Sequence, residues 1–252
     1  MPVSDWGIDI GLGYAGIENP LNKRGSLESY VLPQWYYYGE RFYVENLELG
    51  YSLYENDYLL VDAVSYLNDD GVLFNSDKKA VSFLDVSKFV PNIGMPIFGR
   101  PIELTDIERD FTYMAGIQVF WLNDYLEVKF VRAKDISIGH EGFESQLSVQ
   151  KSYQWQDFKL FWELGGIRKS ANINNYYYGV RAEESGLRRD ALVAAESLNN
   201  YFVKIATTYR LSESTSAVVS LHHTWIDDEL LISPLLLKDK YLSGFVGINV
   251  HF

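Results

Sequence analysis

The chain has 252 residues, no cysteine, a net charge of −12 and 15% aromatic residues. An acidic balance without clustered Lys/Arg excludes a nucleic-acid binder, and the lack of cysteine excludes a disulfide framework while suiting a protein that crosses an oxidising periplasm. There is no run of about 18 apolar residues to form a transmembrane helix, yet a mean hydropathy of −0.12 still suits a β-barrel, in which only alternate residues meet lipid. No Pro/Gly/Ser-rich linker divides the sequence, so residues 1–252 read as one domain. Met1-Pro2-Val3-Ser4 has neither a basic segment nor an apolar core, and the expectation is that a native signal peptide has been removed and Met1 added.

Alternating segments separated by turn chemistry recur roughly every 15 to 25 residues along the chain. In the first, Trp6, Ile8, Ile10, Leu12 and Tyr14 share one face, and Gly7, Asp9, Gly11 and Gly13 the other. A polar loop, Glu18 to Gly25, precedes Tyr30–Tyr38. Gly39-Glu40 then leads into Phe42–Leu53, read as one strand in which Leu47, Leu49, Tyr51 and Leu53 oppose Asn46, Glu48, Gly50 and Ser52. After Glu55-Asn56-Asp57 comes Tyr58–Tyr66. The irregular stretch Leu67–Glu108 is too long for an idle connection.

Alternation returns at Phe111, with Tyr113, Ala115, Ile117, Val119 and Trp121 on one face. Asn123-Asp124 turns the chain into Leu126–Phe130, and Gln156-Asp157 joins Leu147–Trp155 to Phe158–Leu164. The last strands are Tyr201–Leu211, Ala217–Trp225 and Tyr241–Phe252. In the closing strand Leu242, Val246, Ile248, Val250 and Phe252 oppose Tyr241, Ser243, Phe245, Asn249 and His251. Side chains change face at every strand residue, so this is an apolar-out, polar-in ribbon. A soluble sandwich produces the same alternation, but an aromatic C-terminal strand is more typical of an outer-membrane barrel.

The expected fold is all-β, a transmembrane antiparallel up-and-down barrel. About eleven strands can be counted; barrels of this kind are even-numbered. Twelve is favoured, with the missing strand inside Leu67–Glu108, and ten is the alternative. Short turns at 123–124, 156–157 and 212–214 would be periplasmic. Segments 67–108, 139–144, 171–200 and 226–240 would be outer loops. Trp6, Trp35, Tyr36, Tyr38, Trp121, Tyr153, Trp155 and Tyr209 sit mostly at strand ends, as interfacial girdles require.

The stretch Val31-Leu32-Pro33-Gln34-Trp35-Tyr36-Tyr37-Tyr38-Gly39-Glu40-Arg41-Phe42-Tyr43, followed by Leu49-Gly50-Tyr51, resembles the N-terminal signature of the MipA/OmpV family of outer-membrane proteins. Gly11-Leu12-Gly13-Tyr14 resembles it too. Asn175-Tyr176-Tyr177-Tyr178-Gly179-Val180, with Glu184-Ser185-Gly186-Leu187, is similar to the family's long outer loop. The chain departs from the pattern in the long 67–108 insertion and in sparser strand glycines. The resemblance implies an outer-membrane barrel without a known catalytic centre. It also implies a scaffold that joins a lytic transglycosylase to a peptidoglycan synthase; other members are associated with osmotic response, adhesion or antibiotic sensitivity.

Of His140, His222, His223 and His251, only His222-His223 cluster, and adjacent strand residues point to opposite faces, so they cannot share a metal. Ser220 lies about 7 Å from His222 along a strand, beyond hydrogen-bond reach. No catalytic residue, metal or cofactor is therefore assigned. The candidate lumen-lining charges are Asp9, Glu48, Asp62, Glu127, Lys129, Lys159, Glu163, Lys204 and Arg210. Both signs are present, so cross-strand pairs can fill the barrel or set the ion preference of a pore. Ala182–Ser197 has the Ala/Leu content of a short helix. The apolar run Leu230 to Leu237 either extends its flanking strands or folds inward over the mouth, with a partner site as the third reading.

The functional expectation is a non-enzymatic interaction protein that docks peptidoglycan enzymes at its periplasmic face; the alternative is a narrow channel for ions or small solutes. Expected partners are outer-membrane lipid and lipopolysaccharide, and the barrel-assembly machinery, which would meet the closing strand with Val246, Ile248, Val250 and Phe252. A lytic transglycosylase and a peptidoglycan synthase complete the set, with no nucleic acid.

Overall fold

The computed structural model describes residues 5–22, 24–74, 109–137, 139–181, 184, 193–194 and 196–252. The strands run β1 (Asp5–Ile17), β2 (Leu27–Tyr38), β3 (Phe42–Glu45), β4 (Glu48–Glu55), β5 (Leu59–Leu67) and β6 (Tyr113–Leu122) in the first half. The second half contributes β7 (Glu127–Asp135), β8 (Phe143–Trp155), β9 (Phe158–Lys169), β10 (Leu198–Arg210), β11 (Thr215–Trp225) and β12 (Lys240–His251). All twelve form one closed antiparallel barrel in sequence order, with β12 returning to β1. Closure is what a hydrocarbon setting demands, because lipid offers no partner to an unpaired backbone group.

The pleat sorts the side chains as the alternation requires. Trp6, Ile8, Leu12 and Tyr14 of β1 and Leu242, Val246, Ile248 and Phe252 of the C-terminal segment are exposed to the outside, with Val250 half-buried on the same face. Phe245 is the large apolar exception on the inner face of β12. It is buried with Ala15, Leu32 and Val218 in a small lumenal cluster. Gly13 faces Gly247 across the β1–β12 seam, and a Cβ on either would run into the opposite backbone and the Phe245 ring.

The twelfth strand is not where the sequence suggested. The 67–108 segment lies, beyond 74, outside the described residues, whereas Phe42–Leu53 is two strands, β3 and β4. Asn46 breaks the run with φ of 54°, a left-handed conformation that Asn tolerates better than most residues. Leu47, Leu49, Tyr51 and Leu53 keep their two-residue spacing after the turn, so the break leaves no mark on the hydropathy pattern.

β3 is short, and it pairs with β2 only from Tyr36 to Tyr38. Leu27 to Gln34 therefore form an edge among the described residues. An edge in lipid must hide its polar backbone groups, and β2 does so locally. Pro33 has no N–H. The Ser29 hydroxyl accepts from the Val31 N–H at 3.3 Å and donates to the Val31 carbonyl at 3.2 Å. Asn46 Oδ1 accepts from the Trp35 N–H at 3.1 Å, and the Asn46 N–H donates to the Trp35 carbonyl at 2.9 Å.

Short connections (39–41, 56–58, 123–126, 156–157 and 211–214) lie at the end that carries both chain termini; the long ones lie at the other. In outer-membrane barrels the short-turn end is periplasmic. At the long-loop end stand α1 (Asp69–Phe74), α2 (Ala171–Tyr178) and a 3-10 helix (Asp228–Ile232). The principal hydrophobic core sits here. Val72, Leu73, Phe74, Ile173, Tyr177, Tyr178, Leu230, Leu235 and Leu236 pack with Ile17, Leu27, Met114, Leu198 and Tyr241 from the upper strands.

Candidate functional site

Of the charged positions singled out from sequence, the fold brings together Glu163 and Lys204. They are opposite partners on β9 and β10, with Lys204 Nζ 3.2 Å from Glu163 Oε2. Gln146 Nε2 donates to the other oxygen of Glu163 at 3.2 Å. Lys129 acts electrostatically on the same carboxylate, and its Nζ also lies 5.7 Å from the centre of the Phe120 ring. Asp62 is buried and accepts from the Tyr43 hydroxyl at 3.0 Å. Glu127 accepts from Gln150 Nε2 at 2.9 Å.

The remaining candidates are spread apart. Asp9 holds Asn249 Nδ2 at 3.0 Å and lies 3.2 Å from His251 Nδ1, near the periplasmic rim. Lys159 and Arg210 are exposed at that same rim, Arg210 loosely facing Asp157 at 3.9 Å. Glu48 stands exposed at the tip of the β3–β4 hairpin opposite Glu45. Ser220 and His222 are both buried on the inner face, but the ring Nε2 of His222 meets Thr224 Oγ1 at 3.2 Å rather than Ser220. Among the described residues no group of three or more His, Cys, Asp or Glu is placed to hold a metal ion.

The dominant polar constellation lies higher, inside the cap. Lys169, the last residue of β9, faces Glu144 of β8 in the strand register. Its Nζ donates to Asp70 Oδ2 at 2.6 Å, and the Tyr178 hydroxyl donates to Asp70 Oδ1 at 2.7 Å. Glu144 accepts from the Tyr66 hydroxyl at 2.6 Å and from Asn68 Nδ2 at 3.3 Å. Removing such groups from water costs several kcal/mol per ion unless each is paired and hydrogen-bonded, and here the partners are all present. Asn19 Nδ2 donates to the Leu73 carbonyl at 2.9 Å, and the Ser233 hydroxyl to the Tyr178 carbonyl at 2.6 Å. Segments from the β1–β2, β5–β6, β9–β10 and β11–β12 connections are thereby tied into one plug.

A second network links the β7–β8 connection. Gly142 N–H donates to His140 Nδ1 at 2.9 Å, so the ring carries its proton on Nε2, which donates to Thr112 Oγ1 at 3.1 Å. Thr112 meets the Tyr177 hydroxyl at 3.0 Å, and Tyr177 donates to the Asp110 carbonyl at 3.3 Å. Burial lowers the His140 pKa from 6.5, against the opposing pull of Asp135 3.6 Å away. Burial, reinforced by the Asp70 carboxylate, pushes the Tyr178 hydroxyl well up. Burial would raise Glu184, but its hydrogen bonds from Arg109 and from the Arg181 N–H prevail and lower it. Arg109 is fully buried and also donates to the Gly179 carbonyl at 2.8 Å.

Sequence reasoning missed this cap. Glu144 and Lys169 carried a usable signal, since both fall on the inner face of alternating strands. Asp70 and Arg109 carried none, because loop residues have no periodicity to read. The apolar run 230–237 folds inward only in part: Leu230, Leu235 and Leu236 are buried, whereas Leu231, Ile232 and Leu237 are exposed. The expected helix at 182–197 lies for the most part outside the described residues, and the observed helix is α2, immediately upstream.

A closed twelve-stranded barrel with an apolar outer band, aromatic strand ends and a plug at its long-loop end defines an outer-membrane β-barrel protein. The sequence profile of the MltA-interacting protein MipA family matches residues 10–252, and the chain belongs to that family. A relative, YiaT of Escherichia coli K12, whose name describes an outer membrane protein, is 25% identical over 249 residues, covering 97% of this chain and 91% of its own. Among solved structures, a porin refined at 1.8 Å aligns over 99% of this chain and 100% of its own at 8% identity and a TM-score of 0.36. The N-terminal barrel domain of Pseudomonas aeruginosa OprF aligns over 56% of this chain and 87% of its own, at 12% identity and a TM-score of 0.28. At such scores it is the strand pairing itself that defines the fold.

Proposed function

We propose that this protein is a non-enzymatic interaction protein of the outer membrane that docks a peptidoglycan-cleaving lytic transglycosylase, and a peptidoglycan synthase with it, at its periplasmic end. One observation carries the reading: a packed cap of loop segments stands over the outer end of the barrel, and we read it as a stopper. Val72, Ile173, Tyr177 and Leu230 in the cap are fully buried, while Lys159, Arg210 and His251 at the other end are exposed. A stoppered cup does little as a diffusion pore, but it offers a charged rim to periplasmic proteins. The family's name, MltA-interacting protein, supports the same partner class. The periplasmic turns are short, and a standard stable interface buries on the order of 1,600 Å², so the docking surface has to include the rim and lumen walls as well as the turns.

The test is co-purification from crosslinked envelopes, with the partner quantified for wild type and for a variant in which Lys159, Arg210 and Asp157 are neutralised. Recovery of a lytic transglycosylase that falls with the variant supports docking; equal recovery, or none from wild type, removes it. A narrow channel is the second reading, favoured by the Glu163–Lys204 pair and by Lys129 close by on the same inner wall. Stable conductance steps from the folded wild-type protein in a planar bilayer would replace docking with transport.

A further inference from the structure

We propose that the lipid-facing wall of β7–β10 carries a specific site for lipopolysaccharide, the phosphorylated and multiply acylated glycolipid of the outer leaflet. This site is independent of the periplasmic function proposed above. A groove of about 320 Å³ runs over this wall, lined in its apolar part by Phe130, Leu147, Gly166 and Tyr201. Gly166 lies opposite Leu147 on one side and Tyr201 on the other, and the missing side chain opens the floor between them. A Cβ there would already stand 3.3 Å from the Tyr201 ring. At this volume, near the low end for small-molecule sites, the groove takes one acyl chain and not a whole lipid.

The polar end of the groove is built for anions. Ser145 and Arg168 line it, and Arg168 is two residues above Gly166 on β9, a rise of about 6.6 Å toward the outer rim. Arg132 faces Ser145 in the β7–β8 register and donates to its hydroxyl at 2.8 Å. The Arg132 guanidinium also lies over the Phe143 ring at 4.3 Å, which fixes its plane. Lys134 follows on the same exposed face of β7.

The pleat separates the charges by sign. Arg132, Lys134 and Arg168 point outward, while the acids of the same strand ends, Asp135 and Glu144, point inward to their own hydrogen bonds. None of the three cations has a carboxylate partner among the described residues, although the chain as a whole carries a net charge of −12. They stand at the outer-leaflet end, next to Tyr201, whose neighbour on β11 is Trp225, at the depth where aromatic girdles mark the headgroup boundary. Three cations spread along a rim match the several phosphates of lipopolysaccharide better than the single phosphate of a phospholipid. The acyl groove below supplies the second contact.

The experiment is native mass spectrometry of the full chain, released from nanodiscs of zwitterionic lipid supplemented with hexa-acylated, bis-phosphorylated lipopolysaccharide lacking O-antigen. Wild type is expected to retain one molecule. R132Q/R168Q, on the outer surface and remote from the cap, is expected to lose about tenfold or more in affinity. G166L is expected to lose affinity with every charge intact. Folding of each variant is checked by heat-modifiable gel mobility, and the charge variant keeps the test decisive if G166L does not fold. Wild-type affinity in folded R132Q/R168Q overturns the site. So does equal competition by phosphatidylglycerol, which would mark an unspecific anionic-lipid surface.

Discussion

Lys169 and Asp70 lie 99 positions apart in the chain and meet at 2.6 Å inside the cap. The contact joins the top of a barrel strand to a helix of a different outer loop. Its strength comes from company: Tyr178 fills the second Asp70 oxygen, and Glu144 faces Lys169 across the sheet. Inside low-dielectric surroundings, a pair with all its lone pairs occupied is tolerated, and one left with a single partner is not.

Asp70→Asn should therefore unfasten the cap. Breaking a buried pair costs about 3–5 kcal/mol, and the loss should appear as proteolysis of the outer loops with the barrel band intact on a heat-modifiable gel. Asp70→Asn combined with Lys169→Met should be less damaging than the sum of the singles. Strict additivity would show that the two residues do not stabilise the cap through each other.

The lumen pair gives a conditional prediction. In a planar bilayer the wild-type barrel should be silent, and Asp70→Asn should open steps of conductance. In that opened background Lys204→Met should shift selectivity toward cations, because Glu163 loses its 3.2 Å partner. Unchanged selectivity would place the current path away from this pair.

His140 makes the cap sensitive to acid. Its folded pKa is lowered from 6.5 by burial, so the unfolded chain binds the extra proton first. The stability gained by keeping the ring neutral is complete above pH 6.5 and is lost as pH falls below it toward the folded value. Protonation also sets a second N–H against the Gly142 N–H that now bonds Nδ1. The protection factor of the Gly142 amide, its exchange rate corrected for the intrinsic base-catalysed rate, should fall between pH 8 and pH 5 in wild type and stay flat in His140→Gln; matching pH profiles would exclude this histidine.

Asn46 should prove the most sensitive position in the β3–β4 turn. Asn46→Ala loses the acceptor for the Trp35 N–H at the lipid-facing edge and places a Cβ residue at φ of 54°. The two effects together are worth about 2–3 kcal/mol. Asn46→Gly tolerates the backbone but not the lost bond, so urea-unfolding midpoints should rank wild type above Gly above Ala. Equal midpoints for Gly and Ala would show that backbone conformation contributes nothing there.

Much of the barrel was legible because a two-residue period is a local property. The outward set on β1 and β12 follows from alternation alone, and so do the turns at 123–124, 156–157 and 212–214. The turn at Asn46 escaped for the same reason: Leu47 to Leu53 repeat the period on its far side, and only the backbone angle marks the break. Among the charged positions, alternation identified Glu163 and Lys204 as residues of one face but said nothing of their being opposite partners, which depends on the β9–β10 register.

What the amino-acid order determined by itself was a membrane-spanning antiparallel barrel with an apolar outside, since each strand's face is written residue by residue and hydrocarbon permits no other closure. The tertiary structure alone decided which residues meet in the cap at the outer end of the barrel. Asp70, Lys169, Tyr178 and Glu144 come from three separated parts of the chain. Their meeting depends on how closure of the sheet stacks distant loops above one opening, a relation that no local period encodes.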